Sequence, residues 1–180
     1  MEKNKGLSQS IKIAVVGPES CGKSTLAQQL TVLLEGILVP EYARYYLADK
    51  TEKYLLNDLI HIHEKQLELE QDALSRGNRY IVCDTSPLVI ELWAAEVFGK
   101  IPTEISNTHQ PHSYACYLLC APDIPWVADP LRENPHDRER LFLLYQKKLD
   151  ELKTPYGIVK GQGHQRLLNA YDFLKTFLQL

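Results

Sequence analysis

No run of this 180-residue sequence approaches the ~20 consecutive apolar positions that a membrane span requires, and Met1 to Ser10 is polar, without the apolar stretch of a secretory signal. A membrane partner is not expected, and a cytoplasmic protein is. The basic excess that marks nucleic-acid binding is also missing, since the formal net charge is −3 and the isoelectric point is near 6.1. Cys21, Cys83, Cys116 and Cys120 form no C-x-x-C pair, so neither a zinc site nor a dithiol redox site is indicated, and the thiols read as small buried hydrophobes. Histidine gives no ligand set either. His61 and His63 are two apart, on different faces of a helix, and a solvated helix surface is their expected place. Internal repeats and low-complexity tracts are absent. So are an Asn-Lys-x-Asp tetrapeptide, which argues against a guanine-nucleotide switch, and a Ser-Gly-Gly-Gln signature, which argues against a transporter-type ATPase. Hydrophobic content of 44% and charged content of 24% are those of an ordinary globular protein, and residues 1–180 are read as one domain with a sizeable core.

The most informative feature present is Gly17-Pro18-Glu19-Ser20-Cys21-Gly22-Lys23-Ser24, which fits G-x-x-x-x-G-K-[ST]. The apolar run Ile11 to Val16 precedes it, as a buried parallel strand, and a helical pattern starting at Ser24-Thr25 follows it. Glycines at both ends let the backbone curl without Cβ clashes, so that successive N–H groups turn inward on phosphate oxygens, aided by the positive end of the next helix. Gly17 to Thr25 are therefore the expected nucleotide-binding residues. Lys23 reaches the β- and γ-phosphates, and Ser24 offers its hydroxyl to Mg²⁺. A thiol at Cys21, inside such a loop and near a helix N-terminus, is expected to have a lowered pKa.

Strand and helix patterns alternate along the rest of the chain. A helical period runs from Lys23 to Glu35 and stops at Gly36. Ile37-Leu38-Val39 reads as a strand that ends in the polar cluster Glu41 to Leu47. Asn57 to Arg76 is an amphipathic helix. Tyr80 to Cys83 is a strand ending in Asp84, and a helix from Pro87 to Phe98 follows it. Gly99 to His112 is irregular or weakly helical. Tyr114 to Leu119 is a strand, Arg138 to Leu152 a helix, Gly157 to Val159 a short strand, and His164 to Leu178 a closing helix. This order predicts a three-layer α/β fold with a parallel sheet of roughly five strands. Ligands of such sheets bind beyond the carboxyl ends of the strands, where the loop, Glu41 and Asp84 all fall.

Asp84 stands where a Walker-B acid stands, fit to hold a water of the Mg²⁺ shell or to bind a substrate hydroxyl, and helix capping is its alternative role. An acceptor hydroxyl needs a carboxylate to orient it and take its proton, and both Glu41 and Asp84 are candidates for that base. The proline-punctuated, charge-dense segment from Pro122 to Arg140 reads as a lid. Its Arg132, Arg138 and Arg140 are candidates to close over the triphosphate and neutralise transferred charge, with local ion pairing as the alternative. Tyr42, Tyr45, Tyr46 and Trp126 are candidates to stack on a flat ring of a ligand, or simply to pack. Gly161-Gln162-Gly163-His164 is placed to form an adenine-side loop.

The phosphate loop, Val39-Pro40-Glu41-Tyr42-Ala43-Arg44, Cys83-Asp84-Thr85 and Pro122-Asp123-Ile124-Pro125-Trp126 together resemble the ribosylnicotinamide kinase domain of NadR-type proteins, within the P-loop kinase superfamily. The resemblance spans nearly the whole chain. It implies a five-stranded parallel sheet and transfer of the ATP γ-phosphate, with Mg²⁺, to the 5′-hydroxyl of nicotinamide riboside. It also implies that Glu41, Tyr42, Arg44, Asp84, Trp126 and Asp129 face that acceptor. The adenylyltransferase and DNA-binding regions of longer relatives have no counterpart in these residues, so a free-standing kinase is expected. Two other readings stay open: a kinase for another nucleoside or a small polyol, and a regulatory ATPase acting through a protein partner. A homo-oligomer is compatible with the composition.

Overall fold

The computed structural model describes residues 10–106, 113–129 and 136–180. Its centre is a five-stranded sheet of β1 (Ile11–Val16), β2 (Ile37–Val39), β3 (Tyr80–Asp84), β4 (Cys116–Cys120) and β5 (Tyr156–Val159), in the order β2-β3-β1-β4-β5. Every pairing is parallel. Apolar residues recur along β1 because both faces of a parallel sheet are covered by helices. Ile13 and Val15 turn to one face, where they pack with Leu26 and Leu30 of α1 (Lys23–Leu33) and Ala170 and Leu174 of the final helix, Gly163–Leu178. Ala14 and Val16 turn to the other face. There they meet Ala73, Leu88 and Leu149, which come in chain order from the helices Leu56–Ser75, Pro87–Phe98 and Arg138–Leu152.

With the two remaining short helices, the helices number in chain order α1, α2 (Tyr42–Ala48), α3 (Leu56–Ser75), α4 (Pro87–Phe98), α5 (Thr103–Ser106), α6 (Arg138–Leu152) and α7 (Gly163–Leu178). The expected strands and long helices are present to within a few residues. One expectation needs correction, and two segments gain detail. The polar cluster after β2 winds into α2, with Glu41 in extended N-cap geometry. The segment from Gly99 contains the single helical turn α5, and its residues 107–112 lie outside the described residues. His63 is not on a solvated surface but buried at 1% exposure, because α3 is covered on more than one side. A satellite core explains that cover: Ala43 and Leu47 of α2, Leu59 and Ile62 of α3, Ile90 and Ala94 of α4 and Ile105 of α5 pack together beyond the sheet.

From β1 the chain builds outward on one side with β2 and β3, then crosses to the other with β4 and β5. The carboxyl end of β1 therefore lies where the direction of winding reverses, which is where open α/β sheets form their crevice. Register fixes what stands there. Val15 pairs with Asp84 and Val39 pairs with Cys83, so Asp84 and Glu41 leave the sheet at the same edge as the phosphate loop.

The opposite end of β1 is held by a buried ion pair. Lys12 Nζ donates to Glu70 Oε2 at 2.6 Å, Tyr114 Oη donates to Glu70 Oε1 at 2.6 Å, and the ammonium lies 4.3 Å from the Tyr114 ring centroid. Glu70 is 2% exposed, so removing its cation leaves a charge that water cannot reach. Lys12→Met is expected to cost about 3–5 kcal/mol and to lower Tm by roughly 10 °C. Adding Glu70→Gln, which keeps an acceptor for Tyr114, is expected to recover much of that loss; thermal unfolding of the single and double variants measures it, and an unchanged Tm for Lys12→Met would show the pair to be dispensable.

Candidate functional site

The phosphate loop is a backbone structure, and its glycines stand where side chains do not fit. Gly17 has φ +139°, and a Cβ there would sit 2.7 Å from the Cys120 carbonyl oxygen and 3.1 Å from Cys21 Sγ. Gly22 has φ +78° and forms the N-cap of α1; no side chain caps that end and no acid lies in the first turn. The first N–H groups of α1 are therefore left to serve an anion. Below the loop, Cys21 is fully buried and donates to the Pro18 carbonyl at 2.9 Å. Burial alone pushes its thiol up, but the hydrogen bond with Cys120 and the charges of Lys23 and Arg166 outweigh burial and bring the pKa down to about 7.

Lys23 Nζ donates to the Pro18 carbonyl at 2.8 Å. Burial works to lower its pKa, yet Cys21, Tyr145, Glu41 and Asp84 more than offset this and hold it raised, so the ammonium stays charged. Asp84 ends β3 at 5% exposure. Burial raises its pKa, as does Glu41, against the lowering effects of the Ser24 hydrogen bond and of Lys23 and Arg44. Asp84 Oδ1 is buried with no hydrogen-bond partner in the structure. The next residue, Thr85, carries φ +106°, a region that residues other than glycine rarely adopt, and its N–H reaches the Val15 carbonyl at 3.2 Å. Strain of this kind collects at working sites. Ser86 takes the N-cap position of α4 without a side-chain cap bond, and Pro87 opens the helix, so Asp84 is not needed as a cap.

A hydroxyl and an under-bonded carboxylate side by side suit a hard cation such as Mg²⁺, which keeps water and phosphate oxygens as its other ligands. Ser24 and Asp84 fit that role. Among the described residues no group of three or more His, Cys, Asp or Glu could hold a metal unaided, so such an ion would depend on the nucleotide for most of its shell.

A cleft runs from the loop between α2, α4 and α6. At one end it is lined by Gly17, Pro18, Glu19, Ser20 and Lys23 with Glu41 and Arg44. Arg44 Nε donates to Glu41 Oε2 and Nη1 to Asp129 Oδ2, both at 3.1 Å, so the segment leading into the lid is tied to the Glu41 side of the cleft. Arg138 donates through Nη1 to the carbonyls of Ser20 at 3.2 Å and Ile124 at 3.0 Å, and the Val127 N–H donates to Ser20 Oγ at 2.9 Å. These bonds lay residues 124–127 on the phosphate loop.

Not every expected site residue joins the cleft. Tyr42 stacks on Tyr46 at 6.1 Å and lies 6.0 Å from His61, and its N–H donates to Gln66, because the turn into α2 carries it towards α3. Tyr45 is exposed, and Tyr46 donates to Asp58 at 2.7 Å. Trp126 packs under the Arg138 guanidinium at 5.8 Å rather than in the cleft. Thr25 lies exposed on α1. Arg140 binds Asp137 and Glu96, away from the loop. Arg132 and much of the lid lie outside the described residues.

Sequence reasoning missed several residues that the structure brings in. Tyr54, Trp93, Tyr145 and Glu96 line the cleft. Arg166 is buried at the start of α7, where it donates to the carbonyls of Gly161 (2.8 Å), Val159 (3.3 Å) and Ala121 (3.1 Å) and to the Asp123 carboxylate. Its Cδ would lie 3.8 Å from a Cβ on Gly22, so Arg166 braces the Gly161–His164 loop against the phosphate loop. The one signal for Trp93 was its place on the helix that follows Asp84. Gly17→Ala tests the backbone argument: with no room at Cys120, it is expected to lose roughly 1–3 kcal/mol of stability and most nucleotide binding. Thermal shift with and without Mg·AMP-PNP measures both, and a wild-type ligand shift would contradict it.

The trifunctional NAD biosynthesis/regulator protein NadR of Salmonella typhimurium is 23% identical over 176 residues, which cover 92% of this chain and 42% of that protein. This chain thus spans less than half the length of that relative. Among solved structures, a NadR protein in complex with NAD and AMP-PNP superposes with a TM-score of 0.76 at 20% identity, covering 96% of this chain and 50% of that one. A NadR protein in complex with NR gives 0.75 at 21% identity, covering 97% and 53%. These likenesses agree with the fold, an α/β P-loop architecture with a five-stranded parallel sheet. A family described as AAA domain matches residues 12–166, a stretch that holds the phosphate loop, Glu41, Asp84 and Arg166, and the chain belongs to that family.

Proposed function

We propose that this protein is an ATP-dependent kinase of small molecules whose acceptor is a nucleoside, most specifically the 5′-hydroxyl of nicotinamide riboside, giving nicotinamide mononucleotide. The observation that carries this reading is one crevice edge that holds the phosphate loop, the Ser24–Asp84 pair and Glu41, continued by a cleft with an apolar, aromatic far end. An ATPase that acts only on water has no use for such a cleft. The likeness to NadR structures in complex with AMP-PNP-containing and NR ligand sets supports the choice of nucleotide and acceptor.

The residues take up the work as follows. The loop amides and Lys23 hold the β- and γ-phosphates, with Lys23 leaving the Pro18 carbonyl for them. Mg²⁺, when bound beside Ser24 and Asp84, neutralises charge on the phosphates. Glu41 or Asp84 accepts the hydroxyl proton as the oxygen attacks, and Arg44 holds Glu41 in place. Arg138, already on the Ser20 carbonyl, is positioned to meet charge on the transferred group, and Arg132 is proposed for the same task from the lid. Stacking of the lid on the loop keeps water from competing with the alcohol.

A coupled ADP-release assay over a panel of nucleosides and polyols tests this reading. Nicotinamide riboside is expected to stimulate ADP release above background hydrolysis. Lys23→Ala is expected to abolish turnover, while Glu41→Gln and Asp84→Asn each lower kcat on the order of 10²–10⁴-fold with a smaller change in ATP affinity. ADP release that no alcohol stimulates would favour a regulatory ATPase instead, and full riboside turnover by Glu41→Gln would leave Asp84 as the base.

A further inference from the structure

Two thiols meet beneath the phosphate loop. Cys21 comes from the loop itself and Cys120 ends β4, the strand beside β1, and both are fully buried in the core on the α1 face of the sheet. Gly17 shows how close they lie. The Cβ that it lacks would sit 3.1 Å from Cys21 Sγ and 2.7 Å and 3.3 Å from the Cys120 carbonyl oxygen and amide nitrogen. The two thiols are hydrogen bonded to one another, and Cys21 Sγ in turn donates to the Pro18 carbonyl at 2.9 Å. That same oxygen accepts Lys23 Nζ at 2.8 Å. A chain of contacts therefore runs from β4 through both sulfurs to the lysine of the loop.

The pair is chemically unequal. Burial alone pushes the Cys21 thiol up, but the hydrogen bond with Cys120 and the charges of Lys23 and Arg166 bring it down to about 7, so much of it is thiolate near neutral pH. Cys120 moves the other way, well above the ordinary thiol value, through that same hydrogen bond and through burial. One nucleophilic sulfur beside one protonated sulfur suits a sequence in which the first is oxidised and the second resolves it. The other two cysteines are not so placed. Burial pushes Cys116, four residues back along β4, up to about 12, and it raises Cys83 well above its usual value on the opposite face of the sheet.

We propose that Cys21 and Cys120 are a modification site: hydrogen peroxide, reaching them when the loop opens, converts them into a reversible disulfide that disables the loop for nucleotide. The Cys21 thiolate attacks one peroxide oxygen, the O–O bond breaks, and Cys21 becomes a sulfenic acid while the released hydroxide takes up a proton to form water. The Cys120 sulfur then attacks the Cys21 sulfur. The S–O bond breaks as the S–S bond forms, and the departing hydroxide takes the Cys120 proton as a second water. Two electrons pass from the sulfur pair to one peroxide, and an added dithiol returns them. Bonding draws the sulfurs well inside hydrogen-bond contact and removes the Cys21 donor from the Pro18 carbonyl, so the loop loses that tie and is pulled onto β4. Loop amides displaced in this way no longer converge on phosphate. The effect on nucleotide rests on the reading of the loop as a nucleotide site and is independent of which alcohol is the acceptor.

The test treats reduced protein with hydrogen peroxide, blocks the remaining thiols with N-ethylmaleimide after denaturation, and maps the cysteines by peptide mass spectrometry. A Cys21–Cys120 crosslink is expected, with Cys83 and Cys116 recovered as alkylated thiols. The thermal shift given by Mg·AMP-PNP is expected to vanish in the oxidised protein and to return on reduction with dithiothreitol. Because neither thiol is exposed while the loop is closed, nucleotide at about ten times its Kd is expected to slow crosslinking about tenfold. Cys120→Ala and Cys120→Ser keep the backbone against Gly17 and are expected to retain the nucleotide shift, to give no crosslink, and to leave a sulfenic acid at Cys21 that dimedone traps. Cys116→Ala is expected to crosslink as the wild type does. Recovery of Cys21 and Cys120 as alkylated thiols overturns the proposal, as does a crosslink through Cys83 or Cys116, a crosslinking rate that nucleotide does not change, or a crosslinked protein with the wild-type nucleotide shift. The kinase reading stands in each of those cases. A reduced protein with no nucleotide shift contradicts the kinase reading and overturns the inhibitory half of the proposal, while the crosslink is still read by mass.

Discussion

The backbone of Gly17 lies against the Cys120 carbonyl, with no space for a Cβ, and this contact sets where the chain leaves the sheet. β1 is the central strand, so a loop that departs from its end at that angle arrives between the edges of β3 and β4. From there the rest of the site follows by register. Asp84 sits beside Val15, Ser24 lies in the first turn of α1 within reach of Asp84, and Lys23 folds back on the loop, where Cys21, Tyr145, Glu41 and Asp84 hold it charged. A Gly17 with more bulk, or a β4 shifted by one residue, would move every one of these groups. The sheet thus acts as a jig for the loop, and its core is buried on both faces to keep that jig stiff.

Two struts carry this rigidity outward. Arg166 gathers the carbonyls of Ala121, Val159 and Gly161 and the carboxylate of Asp123, joining the ends of β4 and β5 beneath the phosphate loop. Its charge also reaches Cys21, where it helps to draw the thiol pKa down to about 7. The second strut is the chain Glu41–Arg44–Asp129, which ties the start of α2 to the segment that leads into the lid. Glu41 belongs to both the cleft and this chain, so a displacement of the Asp129 segment would be felt at the Glu41 end of the cleft.

Much of this was legible in the sequence, for local reasons. The loop pattern, the apolar run before it and the helical period after it lie within about twenty residues, and the acid after an apolar strand is a one-residue signal. The cluster after β2 carried no legible helix signal, since the 7 residues of α2 are too few for a period to show, and it is the N-cap geometry at Glu41 with the cover supplied by α3 that winds it into a helix. The helix also carries Tyr42 and Tyr46 towards His61 and out of the cleft. Trp93 and Tyr54 are 39 residues apart, and Arg166 meets partners 43 and 45 residues away. No periodicity in a short window encodes such contacts; they arise only when α4 and α7 dock on the sheet.

At the centre of the proposed function, one cleft holds a nucleotide and an alcohol side by side and moves phosphate between them. The most direct measurement is ³¹P NMR of ATP, magnesium and nicotinamide riboside incubated with the protein. One phosphomonoester resonance growing in step with ADP, with inorganic phosphate at background, is the predicted result. ADP accompanied by equal inorganic phosphate, whether or not the riboside is present, would contradict it.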